Sequence, residues 1–180
     1  LECGEAGLCD DLIISEYIEG NSHNKAIELH NPSPLSIDLE AYHLELYNNG
    51  ATEPNQTLDL QGEILPGDVY VIGNSQAVPA LQNLSDITSQ ITWYNGNDAL
   101  VLFKDGEPID VMGVVGQDPG DPFTVTSGGS MAEHTLVRKP NIGHGTIDWE
   151  EGMTQWDSYP QDTFDFLGSH SATCGGLGTM

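Results

Sequence analysis

The chain has 180 residues, enough to bury one sizeable core and too few to argue for two independent domains. Its 28 Asp and Glu residues stand against only Lys25, Lys104, Arg138 and Lys139, a formal charge of −24. Such a surface repels phosphates and excludes strong autonomous nucleic-acid binding, which rests on Lys and Arg releasing counterions. No apolar run approaches the roughly eighteen residues needed to cross a bilayer, and 21 Gly and 10 Pro fit a loop-rich, all-β globule.

Residues 1–11 read as an irregular leader that lacks the basic-then-apolar pattern of a signal peptide, as expected of a processed secreted chain or a piece of a longer one. Strands are expected at Leu12–Ile18, Lys25–His30, Tyr42–Tyr47, Thr57–Leu60, Val69–Gly73, Ala99–Lys104 and Pro108–Met112. The alternation is clearest at Tyr42, Leu44 and Leu46, which share one face while His43, Glu45 and Tyr47 take the other. Turn pairs punctuate these runs: Asn49-Gly50, Pro66-Gly67, Asn95-Gly96 and Asp105-Gly106. The last of these predicts a type I′ hairpin, which requires positive φ at both central positions. A short helix is expected around Val78–Leu84, with Pro79 in its first turn. Beyond Gly113 comes a long loop, one more candidate strand at Thr135–Lys139, and an irregular tail whose Trp149, Trp156, Phe164 and Phe166 should pack back on the body. The pattern predicts an all-β, immunoglobulin-like β-sandwich with an irregular C-terminal tail.

No catalytic signature stands out. Gly73-Asn74-Ser75-Gln76-Ala77 fails the nucleophile-elbow pattern at its last position, and HExxH, Walker A and GxGxxG are absent. The EF-hand pattern is missing too. Clustered loop oxygens from Asn95, Asn97 and Asp98, and from Asp118 and Asp121, still form a candidate Ca²⁺ site, although both runs are also ordinary turn chemistry. Glu16 shares strand parity with Leu12, Ile14 and Ile18, so it is expected to face inward. A buried carboxylate needs a counter-charge, from Lys25 or Arg138, or a bound cation. Cys3 and Cys9 precede the first strand and Cys174 follows the last segment, which suggests a clasp of an oxidising compartment. Cys9–Cys174 is the expected bond; the alternative, Cys3–Cys9, closes only a short loop and leaves Cys174 free.

Several runs together are similar to the bacterial lamin-tail domain carried by secreted proteins, many of them extracellular nucleases. They are LIISEYIEGNSHNKAIELHN at Leu12–Asn31, LPGDVYVIGNS at Leu65–Ser75 and NDALVLFKDGEPIDVMG at Asn97–Gly113, followed by TLVRK at Thr135–Lys139, Trp156 and the Leu167–His170 close. The resemblance spans 12–170, leaves 171–180 as a linker toward a following domain, and matches Glu16, Lys25 and Arg138 to the recurring motif. It implies a non-catalytic accessory domain of a secreted bacterial enzyme, an extracellular DNA nuclease of the endonuclease/exonuclease/phosphatase type. The catalytic domain would follow on the same polypeptide, and the cell surface or biofilm matrix would be a further partner. No cofactor is required on that reading. The competing reading is a Ca²⁺-dependent module for an extracellular polysaccharide or surface partner, which would need exposed Trp or Tyr side chains beside a cation site.

Overall fold

A computed structural model describes residues 9–174, which leaves Cys3 outside the described residues. Among the described residues twelve strands follow one another: β1 (Ile13–Glu19), β2 (Lys25–His30), β3 (Ile37–Asp38), β4 (Tyr42–Tyr47), β5 (Gln56–Asp59), β6 (Glu63–Ile64), β7 (Val69–Gly73), β8 (Ile87–Thr88), β9 (Ala99–Lys104), β10 (Glu107–Met112), β11 (His134–Arg138) and β12 (Trp156–Pro160). One-turn helices α1 (Pro79–Gln82) and α2 (Trp149–Gly152) sit in the connections. Among the described residues no helix is long and apolar enough to cross a membrane.

The strands build an immunoglobulin-like sandwich. One sheet has the order β12-β11-β1-β2-β7-β8 and the facing sheet β10-β9-β4-β5, with β3 and β6 forming a small ribbon. Period-two alternation explains the core between them. Tyr42, Leu44 and Leu46 of β4 and Leu100 and Leu102 of β9 pack against Ile14, Tyr17, Ile27, Leu29 and Leu136 of the larger sheet. The β9–β10 hairpin turns on Asp105 (φ 50°) and Gly106 (φ 81°), the double positive φ its sequence demands.

The C-terminal region is more regular than its composition suggests. It supplies β12 as an edge strand paired with β11, and it buries Trp156 completely and Trp149 almost so. Residues 161–174 then form a strap across the outer face of the larger sheet. Thr135 Oγ1 donates to the Thr163 carbonyl at 2.8 Å, the Gly168 N–H donates to Glu28 Oε2 at 2.7 Å, and Leu167 and Phe164 pack on Ile18, Ala26 and Val71. Residues 171–174 are tied back as well: the Thr173 N–H donates to the Pro140 carbonyl at 2.7 Å, and a disulfide joins Cys9 to Cys174, with Cα atoms 5.5 Å apart.

Candidate functional site

The expected pairing of Glu16 with Lys25 or Arg138 is not what the structure contains. A β-bulge at Ser15 shifts the β1–β2 register, so that Ile14 lies opposite Leu29 while Glu16 lies opposite Glu28. One extra residue reverses every side chain beyond it. Tyr17 therefore takes the core position, and Glu16 turns to the outer face beside Glu28, beneath the strap. Both Glu16 carboxyl oxygens are buried without a hydrogen-bond partner. Burial, and then the neighbouring Glu28 charge, raise its pKa from 4.5 to about 9. Burial also raises Glu28, to about 7, against the opposing pull of hydrogen bonds from Ser15 and Gly168. His170, whose ring meets His30 edge-on at 5.0 Å, is lowered to about 4, first by burial and then by the nearby His30 and Arg138 charges. At pH 7 Glu16 therefore keeps its proton, Glu28 is about half ionised and His170 is neutral.

Arg138 has a different partner. Its Nη2 donates to Asp110 Oδ2 of β10, its Nη1 to Gln155 Oε1 at 2.5 Å and its Nε to the Ile14 carbonyl at 3.0 Å, with the guanidinium 4.4 Å from the Trp156 ring. Asp110 accepts further from the N–H groups of Ile14 (2.9 Å), Val111 (3.1 Å) and Thr146 (3.2 Å). Both charged side chains are fully buried and tie one sheet to the other. Lys25 pairs with Glu19 at 3.0 Å and donates to the Tyr94 carbonyl. Lys104 pairs with Asp11, and Lys139 donates to the Thr154 carbonyl at 2.7 Å. All four cationic side chains of the chain are therefore committed to intramolecular contacts.

The candidate cation ligands separate into those brought together and those not. Asp98 is buried, and its two oxygens accept from the N–H groups of Asn49 (2.8 Å) and Asn95 (2.9 Å), which spends the carboxylate on holding two loops. Asn97 Nδ2 donates to Asn49 Oδ1 at 3.3 Å and to Asp118 Oδ1 at 3.1 Å, and that same Asp118 oxygen accepts from the Gly120 N–H at 2.9 Å. Asn97 Oδ1 is buried and unpartnered. Asp121 is exposed, and Glu16 belongs to the other sheet's outer face. Among the described residues no group of three or more His, Cys, Asp or Glu side chains converges in a way that would hold a metal ion.

The loops that Asp98 ties form one wall of an open cleft of about 560 Å³. Trp93, 49% exposed, lines it together with Asn48, Asn49, Asn74, Gln76 and Asn95. Trp93 ends a short 3₁₀ turn capped by Ser89, and its carbonyl accepts from Asn48 Nδ2 at 3.3 Å. Tyr94 behind it is buried, its hydroxyl 2.9 Å from the carbonyls of both Ile18 and Ala26 and its ring stacked on Tyr17. Neither Trp149 nor Trp156, the tail residues considered from sequence, reaches the surface as Trp93 does. The signal for Trp93 was available: a large aromatic placed next to turn residues, in TWYNGND, outside any alternating strand.

The family model for the Lamin Tail Domain matches residues 8–116, which is more than half of the chain and takes in strands β1 to β10. Strands β11 and β12 and the strap lie beyond the matched range. No curated protein matched the chain, and no solved structure did.

Proposed function

Because this chain belongs to the lamin tail domain family, we propose that it serves as a non-catalytic accessory module of a secreted bacterial enzyme, an extracellular DNA nuclease, and that it orients or localises the catalytic part. The observation that carries this reading is the commitment of every cationic side chain. Lys25, Lys104, Arg138 and Lys139 all make internal contacts, so a surface with a formal charge of −24 repels phosphates and has no cluster of cations to offset it. A domain of this kind leaves substrate capture to its neighbour. The Cys9–Cys174 bond supports an oxidising, extracellular setting, and the fixing of both ends of the described chain at one place suits an attached module.

The test has two arms. The purified chain, incubated with plasmid DNA and Mg²⁺ or Ca²⁺, is expected to leave the DNA intact and to bind a labelled duplex no better than weakly at physiological salt. The sequence that follows Met180 in the full-length protein is expected to encode a hydrolase. Nuclease activity that co-purifies with the chain through size exclusion, or a full-length protein without a catalytic domain, would overturn the assignment. The second reading, an extracellular polysaccharide module, is favoured by one observation, the exposed Trp93 in its amide-lined cleft.

A further inference from the structure

We propose that the Trp93 cleft is a binding site for an uncharged pyranoside chain, and that Trp93 is its stacking platform. The inference deepens the localising role proposed above and rests on that reading for its biological setting. Three features of the cleft carry it.

The first is the platform. Trp93 keeps 49% of its surface in water while Trp149 and Trp156 are buried. An indole face carries a negative quadrupole that attracts the positive edges of C–H bonds, and the axial C–H face of a pyranose ring presents such edges over a flat apolar area. The second feature is the lining. Asn48, Asn49, Gln76 and Asn95 supply amides that both donate and accept, the dual capacity that sugar hydroxyls share. Asn74 is buried at the back of the cleft, where its Oδ1 accepts from the Gln76 N–H at 2.9 Å and holds that loop in place. The charged groups at the cleft are already matched: Lys25 by Glu19 at 3.0 Å, and Asp98 by two backbone N–H groups. A lining of neutral amides in so acidic a protein selects against uronates, sulfated glycans and phosphates.

The third feature is preorganisation. Asp98 fixes the loops carrying Asn49 and Asn95, Asn48 holds the Trp93 carbonyl, and Tyr94 anchors the turn from below. A platform held this way loses little conformational freedom when a ligand arrives. The volume of about 560 Å³ lies within the usual range for small-ligand sites. None of these contacts requires calcium, since the Asp98 oxygens already have donors.

The experiment is affinity electrophoresis of the full chain in native gels containing dextran, laminarin, galactomannan or alginate, with fluorescence titration of any oligosaccharide form that retards it. At least one of the three neutral polymers should retard the wild type, in EDTA as well as in Ca²⁺, while acidic alginate should not. Trp93→Ala should weaken that binding about tenfold or more, the scale of one lost aromatic contact, and Trp93→Phe should restore most of it. Trp93 is exposed, so both variants should melt with the wild type, which separates loss of binding from loss of fold. The proposal is overturned if no neutral polymer retards the wild type, if Trp93→Ala binds equally well, or if EDTA abolishes binding. Retardation by alginate alone overturns it as well. Sugar binding by a protein without a catalytic domain would remove the accessory reading alone, and a catalytic neighbour without sugar binding would remove only this inference.

Discussion

Replacing Glu16 by Gln should stabilise this protein at neutral and alkaline pH. The folded carboxyl, buried without a hydrogen-bond partner and beside Glu28, holds its proton up to a pKa of about 9, against 4.5 in the open chain. A carboxyl raised on folding contributes fully below 4.5 and loses its contribution as pH climbs toward 9, because the unfolded state ionises and the folded state does not. At pH 7 the gap from 4.5 is about 2.5 pH units, each about 1.4 kcal/mol, so the protonated state costs about 3 kcal/mol of stability. Gln keeps the shape and removes the ionisation. Urea unfolding at pH 5, 7 and 8.5 should show little difference between the proteins at pH 5 and a growing advantage for Glu16→Gln above it. Shared by both proteins is the slope from Glu28, which loses stability with rising pH up to about 7, from His170, which gains it between about 4 and 6.5, and from His30, which burial also lowers and which gains stability in the same direction. A variant less stable than wild type at both pH 7 and 8.5 would mean that Glu16 is charged and paired, and would refute the reasoning.

Two further perturbations address the framework. Asp110→Asn strands the Arg138 guanidinium between the sheets and should cost about 3–5 kcal/mol in chemical denaturation; a loss below about 1 kcal/mol would mean that Gln155 and the Ile14 carbonyl satisfy the arginine by themselves. Reducing Cys9–Cys174, or replacing both residues by Ser, releases a link between residues 165 apart in sequence, for which chain entropy gives about 5 kcal/mol. The melting temperature should fall with reductant, and an unchanged melt would show that the strap's hydrogen bonds hold without the bond.

Most of the sandwich was legible because its signals are local. Alternation along Tyr42–Tyr47 and the Asp105-Gly106 pair each specify one conformation from a few adjacent residues. The bulge at Ser15 was not legible, since an inserted residue has no composition of its own and shows only in the partner strand's register. That one residue moved Glu16 from the expected core to the strap side and dissolved the expected cluster. Asp110 was hidden for a related reason. It follows a second register break, between Pro108 and Asp110, and an acid in an alternating strand reads as outward-facing unless its arginine is known. The tail aromatics were read correctly as packing groups, whereas Trp93 was overshadowed by the turn residues that hold it at the surface. The Asn95–Asp98 and Asp118 oxygens do come together, but hydrogen bonding between loops accounts for most of what they do.

The clasp has a mechanical consequence. Tension applied through the polypeptide on either side enters at Cys9 and leaves at Cys174, and these two residues are already bonded to each other. The pull travels through a covalent shortcut, so the β-strands between them bear none of it. Under flow or surface drag the domain should behave as an inextensible bead that adds no slack to the chain. Reduction would turn the same residues into a releasable length, with the strap, the part nearest Cys174, peeling first.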